Sequence, residues 1–531
     1  MKLRFLAVII STVLLASSAV LGADGTEVVK VYRNQVKLWV NGQQVRTESL
    51  LLDGTPYVPV RALSEHLGLD AQWNPETYTA SVNTVKTFTL KDAVDPYKPV
   101  IFLGDLGLQA SRIEAFRLEH EGTVLIKKFD FLGNQLQIAD VAATGGSVLD
   151  VDRAYTLKLY AGDGARYVIQ FVTKGLPEIT EREERQVVFV PAMPEKGFYW
   201  PYYLAVPSNR NAAPNRGHRR FLMVDTTNTG TTVDVADLFK RASTEVTGLR
   251  QLSMRLAEQL WAPMIYPAFP RPSVQYTLDG EANHFYTHAL DRDTATLHVK
   301  MRGARAAKVL TEEFQRAGFD AGMFMNLDLQ LNAMIDHAIG YLNQYGHNVQ
   351  PKRVFLVGYS ASGTFTDRYA ALQPDRVKAV ASGATLDDMM LPLAEWKGQS
   401  LIFPIGVSDY REITGRSFDL QRHNQVARLI YMGEDDTNNT LPYNDCYGEQ
   451  ERQIIRSLWG VEVLPRAKAL IELYGQAGGQ GIFVLDKGIQ HGTSSQMIEY
   501  VKTFLQANRD NDVPVYPLPS DPGQLKYTLF E

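Results

Sequence analysis

Val354-Phe355-Leu356-Val357 is a run of four apolar residues that leads directly into Gly358-Tyr359-Ser360-Ala361-Ser362-Gly363. A strand that is apolar on both faces has no side to give to water, so it belongs in a sheet covered on both sides. Phe365, Tyr369 and Leu372 then recur at helical spacing, which predicts a helix directly after the turn. The same alternation surrounds this unit. Residues 202–206, 221–224, 264–266, 377–381, 429–432 and 482–485 are apolar runs of strand length. Residues 235–260 read as helical, and Leu331, Met334, Ile335, Ala338, Ile339 and Leu342 mark another helix. Strands alternating with helices imply a mostly parallel sheet with helices on both faces, an α/β fold over residues 187–507.

The turn at 358–363 has the strand–turn–helix setting that lifts a serine oxygen above a sheet. Small flanking residues permit the sharp turn. The usual pattern is G-x-S-x-G; here Ser362 holds the second glycine position and Gly363 follows. A serine hydroxyl is a weak nucleophile near neutral pH and needs a positioned base. On α/β-hydrolase sheets the chain order is serine, acid, histidine. Only His423 and His491 follow Ser360, and His423 precedes the acidic loop. His491, in Gln490-His491-Gly492 beyond the last apolar run, is therefore the candidate base. The acid is expected in Gly433-Glu434-Asp435-Asp436, where a carboxylate can hold the imidazole tautomer. Two adjacent aspartates, Asp435 and Asp436, stay open on spacing alone. Oxyanion donors are expected from the backbone of Ala361 and from the turn around Asn228 and Thr229. Arg271 and Tyr359 are candidate substrate-binding residues. The long stretch 267–327 is a candidate lid or substrate wall. His284 and His288 lie four apart but lack the glutamate of a zinc-protease helix, so a lid contact is the better reading.

The N-terminal part is built differently. Lys2 and Arg4 precede a short apolar stretch over 5–15, and Gly22 or Ala23 suits cleavage, so residues 1–22 read as a secretory signal. That stretch falls short of the ~20 residues needed to span a bilayer. Residues 26–84 combine two strand-like segments about Asn41-Gly42, a hairpin signal, with a short helix over 60–67 and a last strand near 78–82. Residues 86–175 alternate with period two: Tyr155, Leu157 and Leu159 on one face, Tyr167, Ile169 and Phe171 on another. A small β-sandwich is expected there. The charge run Glu181-Arg182-Glu183-Glu184-Arg185 reads as a solvated linker. The formal charge of −5, from 54 basic and 59 acidic residues, leaves no broad basic field for nucleic acid. A single cysteine, Cys446, excludes an internal disulfide and a Cys-rich zinc module.

Two resemblances follow. The segment Tyr57-Val58-Pro59-Val60-Arg61-Ala62-Leu63-Ser64-Glu65-His66-Leu67-Gly68 resembles the copper amine oxidase-like N-terminal, or stalk, domain of exported bacterial proteins. Copper is not implied, since His66 stands without partner ligands. The GYSASG turn, the Asn228-Thr229-Gly230 turn, Pro267-Ala268-Phe269-Pro270-Arg271-Pro272, Asp328-Leu329-Gln330-Leu331, and the GEDDTN and QHG loops resemble exported bacterial α/β-hydrolases, related to esterases and polyhydroxybutyrate depolymerase-like enzymes. That resemblance spans about residues 190–507. It implies a serine esterase with Ser360, Asp436 and His491, requiring no metal or organic cofactor. It further implies a small or polymeric ester substrate, no nucleic-acid partner, and no transmembrane span in the mature chain. The N-terminal module would contact a wall, surface or partner outside the membrane. Two alternatives remain: a serine peptidase with the same triad, and a surface binding protein whose hydrolase domain has lost catalysis.

Overall fold

The computed structural model describes residues 30–40, 43–67, 69–139, 148–228, 234–249, 251–278, 280–443 and 446–531. The expected signal segment lies outside the described residues. The chain forms two compact units: residues 1–94, 100–137 and 154–172, and residues 95–99, 138–153 and 173–531.

In the first unit, Leu38–Val40 pairs with Gln43–Val45 as a hairpin, and the short helix runs from Val60 to His66. A six-stranded sheet follows among the described residues, in the order 123–125, 113–120, 154–161, 166–172, 79–89, 69–74. Tyr155, Leu157 and Leu159 are buried on one face, and Leu157 sits opposite Ile169, as the period-two pattern requires. The expected break between a 26–84 module and an 86–175 sandwich falls inside one strand, Thr79–Thr89. This strand pairs with Leu69–Asn74 on one side and Arg166–Val172 on the other. Its sequence, TASVNTVKTFT, contains no glycine or proline to end it. The β-branched run therefore carries the sheet across the expected boundary.

In the second unit, nine described strands form one sheet. They are β1 (Gln186–Val190), β2 (Tyr202–Val206), β3 (Met223–Val224), β4 (Met264–Pro267), β5 (Val354–Tyr359), β6 (Val377–Gly383), β7 (Ala427–Gly433), β8 (Gly481–Asp486) and β9 (Leu525–Phe530). Their order is β1-β2-β4-β3-β5-β6-β7-β8-β9. The pairs from β4 through β8 are parallel; β1, β2 and β9 add antiparallel edges. The expectation of a mostly parallel sheet with helices is met. The expected end at residue 507 stops short, because β9 completes the sheet beyond it.

Alternate residues of β5 feed two cores. Val354 and Leu356 pack with α3 (Leu327–Gln344) and α4 (Ala361–Leu372). Phe355 and Val357 pack with α1 (Val235–Thr247), α2 (Leu252–Gln259) and α6 (Ser495–Arg509). The intervening α5 spans Val463–Gln476. The predicted 235–260 helix is two helices, because Gly248 ends α1 with its N–H on the Thr244 carbonyl. In the charge run, Arg185 is anchored rather than solvated: it donates to Glu258 at 3.1 Å and to the Val246 carbonyl at 2.9 Å. Stretch 267–327 is a packed wall with a hairpin, two helices and a Phe285–Phe314–Phe324 cluster at 5.0–5.7 Å between rings.

Candidate active site

Ser360 stands between β5 and α4 with φ 59° and ψ −129°. For a non-glycine residue this conformation costs about 1–3 kcal/mol and persists only when neighbours over-determine it. They do so here. The Ser360 N–H donates to the Gly383 carbonyl at 2.9 Å, and the Thr364 N–H donates to the Ser360 carbonyl at 2.9 Å. The Asn228 amide donates to the Tyr359 carbonyl at 2.8 Å. A Cβ on Gly358 would lie 2.3 Å from the Ser362 carbonyl oxygen, and one on Gly363 would lie 2.5 Å from that of Gly383. The close approaches thus fall at 358 and 363, while Ser362 fits at the usual glycine position. Its buried hydroxyl accepts from the Tyr359 N–H at 3.0 Å and lies 3.2 Å from the Tyr359 carbonyl.

Behind the turn lies Asp225, just past β3. It accepts from the Thr226 N–H at 2.8 Å and the Ser253 hydroxyl at 2.6 Å, and it also faces Ser362. Burial pushes its carboxyl up to about 7.

His491 sits on the loop after β8. Its Nδ1 is 2.8 Å from Asp436 Oδ2, and its Nε2 is 3.1 Å from Ser360 Oγ. With Nδ1 carrying the proton toward the carboxylate, Nε2 is left to accept from the serine. Asp436 is buried beneath the loop after β7, and its Oδ1 accepts from the Asn438 N–H at 2.8 Å. Asp435 is exposed; its backbone N–H binds the Ile489 carbonyl. The structure therefore brings Ser360, His491 and Asp436 into one chain of contacts and leaves Asp435 outside it. Gly433 makes this possible, because a Cβ there would lie 2.1 Å from the Gln490 carbonyl oxygen. Sequence reading missed this role, although a glycine closing an apolar run just before the acidic pair was its visible signal. Asn438 was also missed: its amide nitrogen lies 3.2 Å from His491 Nε2.

Other expected residues are placed as follows. Ala361 is the first residue of α4, where helix geometry leaves backbone N–H groups without intrahelical partners. The Asn228 side chain donates to the Tyr359 carbonyl, and Thr229 lies outside the described residues. Arg271 is buried and donates to the Asn228 carbonyl. The Tyr359 hydroxyl donates to the Gly492 carbonyl at 2.9 Å, and its ring meets His491 edge-on at 5.4 Å. Both residues brace the neighbouring loops. Burial, and secondarily Asp436, pushes the Tyr359 hydroxyl up. His423 is buried against Tyr474 at 2.7 Å, and burial holds its imidazole well below the usual range. His284 lies on the strand Glu281–Phe285 and His288 beyond it, so they share no helix face. Among the described residues no group of three or more His, Cys, Asp or Glu is arranged to hold a metal ion. A cavity of about 220 Å³ adjoins Ser360, lined in part by Ala361, His288, Asp388, Thr440 and Cys446.

Residues 15–90 match the family model of the copper amine oxidase N-terminal domain, up to the end of the strand Thr79–Thr89. This agrees with the resemblance read from residues 57–68. No curated protein matches the chain. Among solved structures, the chain is similar to the LpqC poly(3-hydroxybutyrate) depolymerase from Bordetella parapertussis, at 16% identity and TM-score 0.34 over 62% of this chain and 92% of that one. It is similar to an S-formylglutathione hydrolase from Agrobacterium tumefaciens, at 12% identity and TM-score 0.32 over 63% and 99%. It is also similar to a thermostable esterase, at 12% identity and TM-score 0.28 over 78% and 91%.

Proposed function

We propose that this chain is an exported serine hydrolase of the α/β-hydrolase type that cleaves carboxylic esters. The observation that carries the reading is the contiguous path from Ser360 Oγ through His491 to Asp436, at 3.1 and 2.8 Å. Ser360 Oγ attacks the ester carbonyl carbon while His491 Nε2 takes its proton. Asp436 holds the resulting imidazolium through Nδ1–H. The carbonyl oxygen, now an anion, is received by the Ala361 N–H and by a second backbone N–H expected from the segment of Asn228 and Thr229. Collapse breaks the bond to the alcohol oxygen, which leaves with the proton from His491. Water then attacks the acyl-enzyme by the same route and regenerates Ser360. The strained φ of Ser360 supports this reading, because it projects the hydroxyl off the sheet rather than into the α4 backbone.

In this reading the N-terminal signal directs export, and the N-terminal module holds the enzyme at a wall, polymer or surface. The test is fluorophosphonate labelling of the full chain with peptide mapping, with Ser360→Ala alongside, followed by a matched ester and anilide. An adduct on Ser360 that the variant lacks, with turnover of the ester above the anilide, is expected. A folded protein that takes no adduct would refute the hydrolase reading, and anilide turnover at the ester's rate would make it a peptidase.

A further inference from the structure

His491 Nε2 is approached by two groups. Ser360 Oγ lies at 3.1 Å and the Asn438 amide nitrogen at 3.2 Å. With the Nδ1 proton held against Asp436 Oδ2 at 2.8 Å, Nε2 offers a single lone pair. A hydroxyl and an amide N–H therefore share one acceptor. The reverse amide orientation would set the Oδ1 lone pairs against that of Nε2, so the nitrogen faces the ring at rest.

The loop holds Asn438 there by its backbone. The Asn438 N–H donates to Asp436 Oδ1 at 2.8 Å, the other oxygen of the carboxylate that holds His491. In the next residue, Asn439 Oδ1 accepts from the Leu441 N–H at 3.1 Å and from Arg466 at 3.2 Å, and the amide donates to the Val461 carbonyl at 2.8 Å. The chain is thus tied on both sides of an exposed side chain that borders the same cavity as Ser360.

Once Ser360 has given its proton to Nε2, that atom is a donor, and the Asn438 N–H has no acceptor left on the ring. The next oxygen to approach Nε2 is the alcohol oxygen of the ester, which takes the proton at about 2.6–3.2 Å. Negative charge grows on this oxygen as its bond to the acyl carbon breaks. A fixed donor is worth most where such charge develops.

We propose that Asn438 is a catalytic residue on the leaving-group side: its amide N–H passes from His491 Nε2 to the alcohol oxygen as the tetrahedral intermediate collapses. The bond from Ser360 Oγ to the acyl carbon is already formed, the bond from that carbon to the alcohol oxygen breaks, and the Ser360 proton reaches the alcohol through Nε2. The amide gives up no proton. This rests on the hydrolase reading above and adds a substrate class, esters of aliphatic alcohols, whose oxygens leave poorly without such a donor. A 4-nitrophenolate leaves without it.

The experiment uses the full chain and the acetates of 4-nitrophenol, phenol, trifluoroethanol and ethanol. It compares kcat/KM, which reports the steps through acylation, above the buffer-catalysed background. Ser360 labelling by fluorophosphonate is scored in parallel. The variants are Asn438→Ala and Asn438→Leu, the second of which keeps the bulk and lacks the N–H. Each should lose about 10-fold on ethyl acetate, the range for a hydrogen bond to an oxygen gaining charge, and stay within about threefold on 4-nitrophenyl acetate and in labelling. The other two acetates should fall between. A matching loss on 4-nitrophenyl acetate or in labelling overturns the inference, because an amide that held the imidazolium or the oxyanion would serve every substrate alike. A loss in Asn438→Ala alone reports vacated space and also overturns it, as does an undiminished rate on ethyl acetate. Labelled wild type that turns over no acetate overturns this inference alone. In all these cases the labelled Ser360 leaves the hydrolase reading standing. Absence of labelling in the wild type removes both.

Discussion

Gly363→Ala gives a direct test of how the fold holds Ser360. The added Cβ would lie 2.5 Å from the Gly383 carbonyl oxygen and 3.0 Å from Thr385 Cγ2. Ordinary contact begins near 3.4 Å, so backbone on one side must retreat by about 0.9 Å. The same Gly383 oxygen accepts the Ser360 N–H at 2.9 Å, so relief of the overlap moves the serine. Overpacking of this kind costs about 1–3 kcal/mol. A displacement near 1 Å at a reacting group costs about 10²-fold in rate. The variant should therefore unfold at lower urea, by about 2 kcal/mol, and label Ser360 with fluorophosphonate about 100-fold more slowly. Gly340→Ala is the matched control. It lies in the middle of α3 with nothing within 4 Å of the added Cβ. It should gain about 0.5–1 kcal/mol from helix propensity and label at the wild-type rate. Wild-type stability and labelling in Gly363→Ala would refute the claim that this backbone approach fixes the serine.

Three further outcomes are expected. Asp436→Asn should lower kcat by about 10⁴ with the fold intact, as loss of the correct tautomer does elsewhere; Asp435→Asn should stay within a few-fold, and equal losses would reassign the acid. Asp225 titrates near 7 when folded and near 4 when unfolded, so its favourable contribution is complete below pH ~4 and lost as pH rises through 7, by about 4 kcal/mol. Asp225→Asn lacks that loss, so its urea stability relative to wild type should rise between pH 4 and pH 8; a constant difference would refute the burial of an unpaired charge. Asp367→Ala removes the carboxyl that Arg428 meets at 2.9 Å where both are nearly fully buried, and should destabilise by about 3–5 kcal/mol; a loss under 1 kcal/mol in urea denaturation would contradict this.

Much of this protein is written in local pattern. Residues 354–357 show their burial on both faces, because a strand without a polar side has one kind of environment open to it. The order of Ser360, the acidic pair and His491 along the chain follows the order in which their loops leave the sheet. The period-two stretches at 154–161 and 166–172 likewise announce a half-buried hairpin. Local pattern also misleads where continuity matters. The strand at 79–89 joins segments that composition separates, and β9 lies beyond the last obvious alternation.

The tertiary structure puts Asp436, and not Asp435, within hydrogen-bond reach of His491. Adjacent side chains on a turn point in different directions, and only the position of His491 makes one of them useful. It also set one hydrogen bond from each of Asn228, Arg271 and Tyr359 onto a backbone carbonyl of the loops around Ser360. Glycine roles at 433 and 363 depend on which strand or loop comes within 3 Å, a distance set by elements tens of residues away. The sequence by itself determined which chemistry was available and in what order. Side-chain direction and close approach, which depend on the whole packed sheet, decided which groups meet.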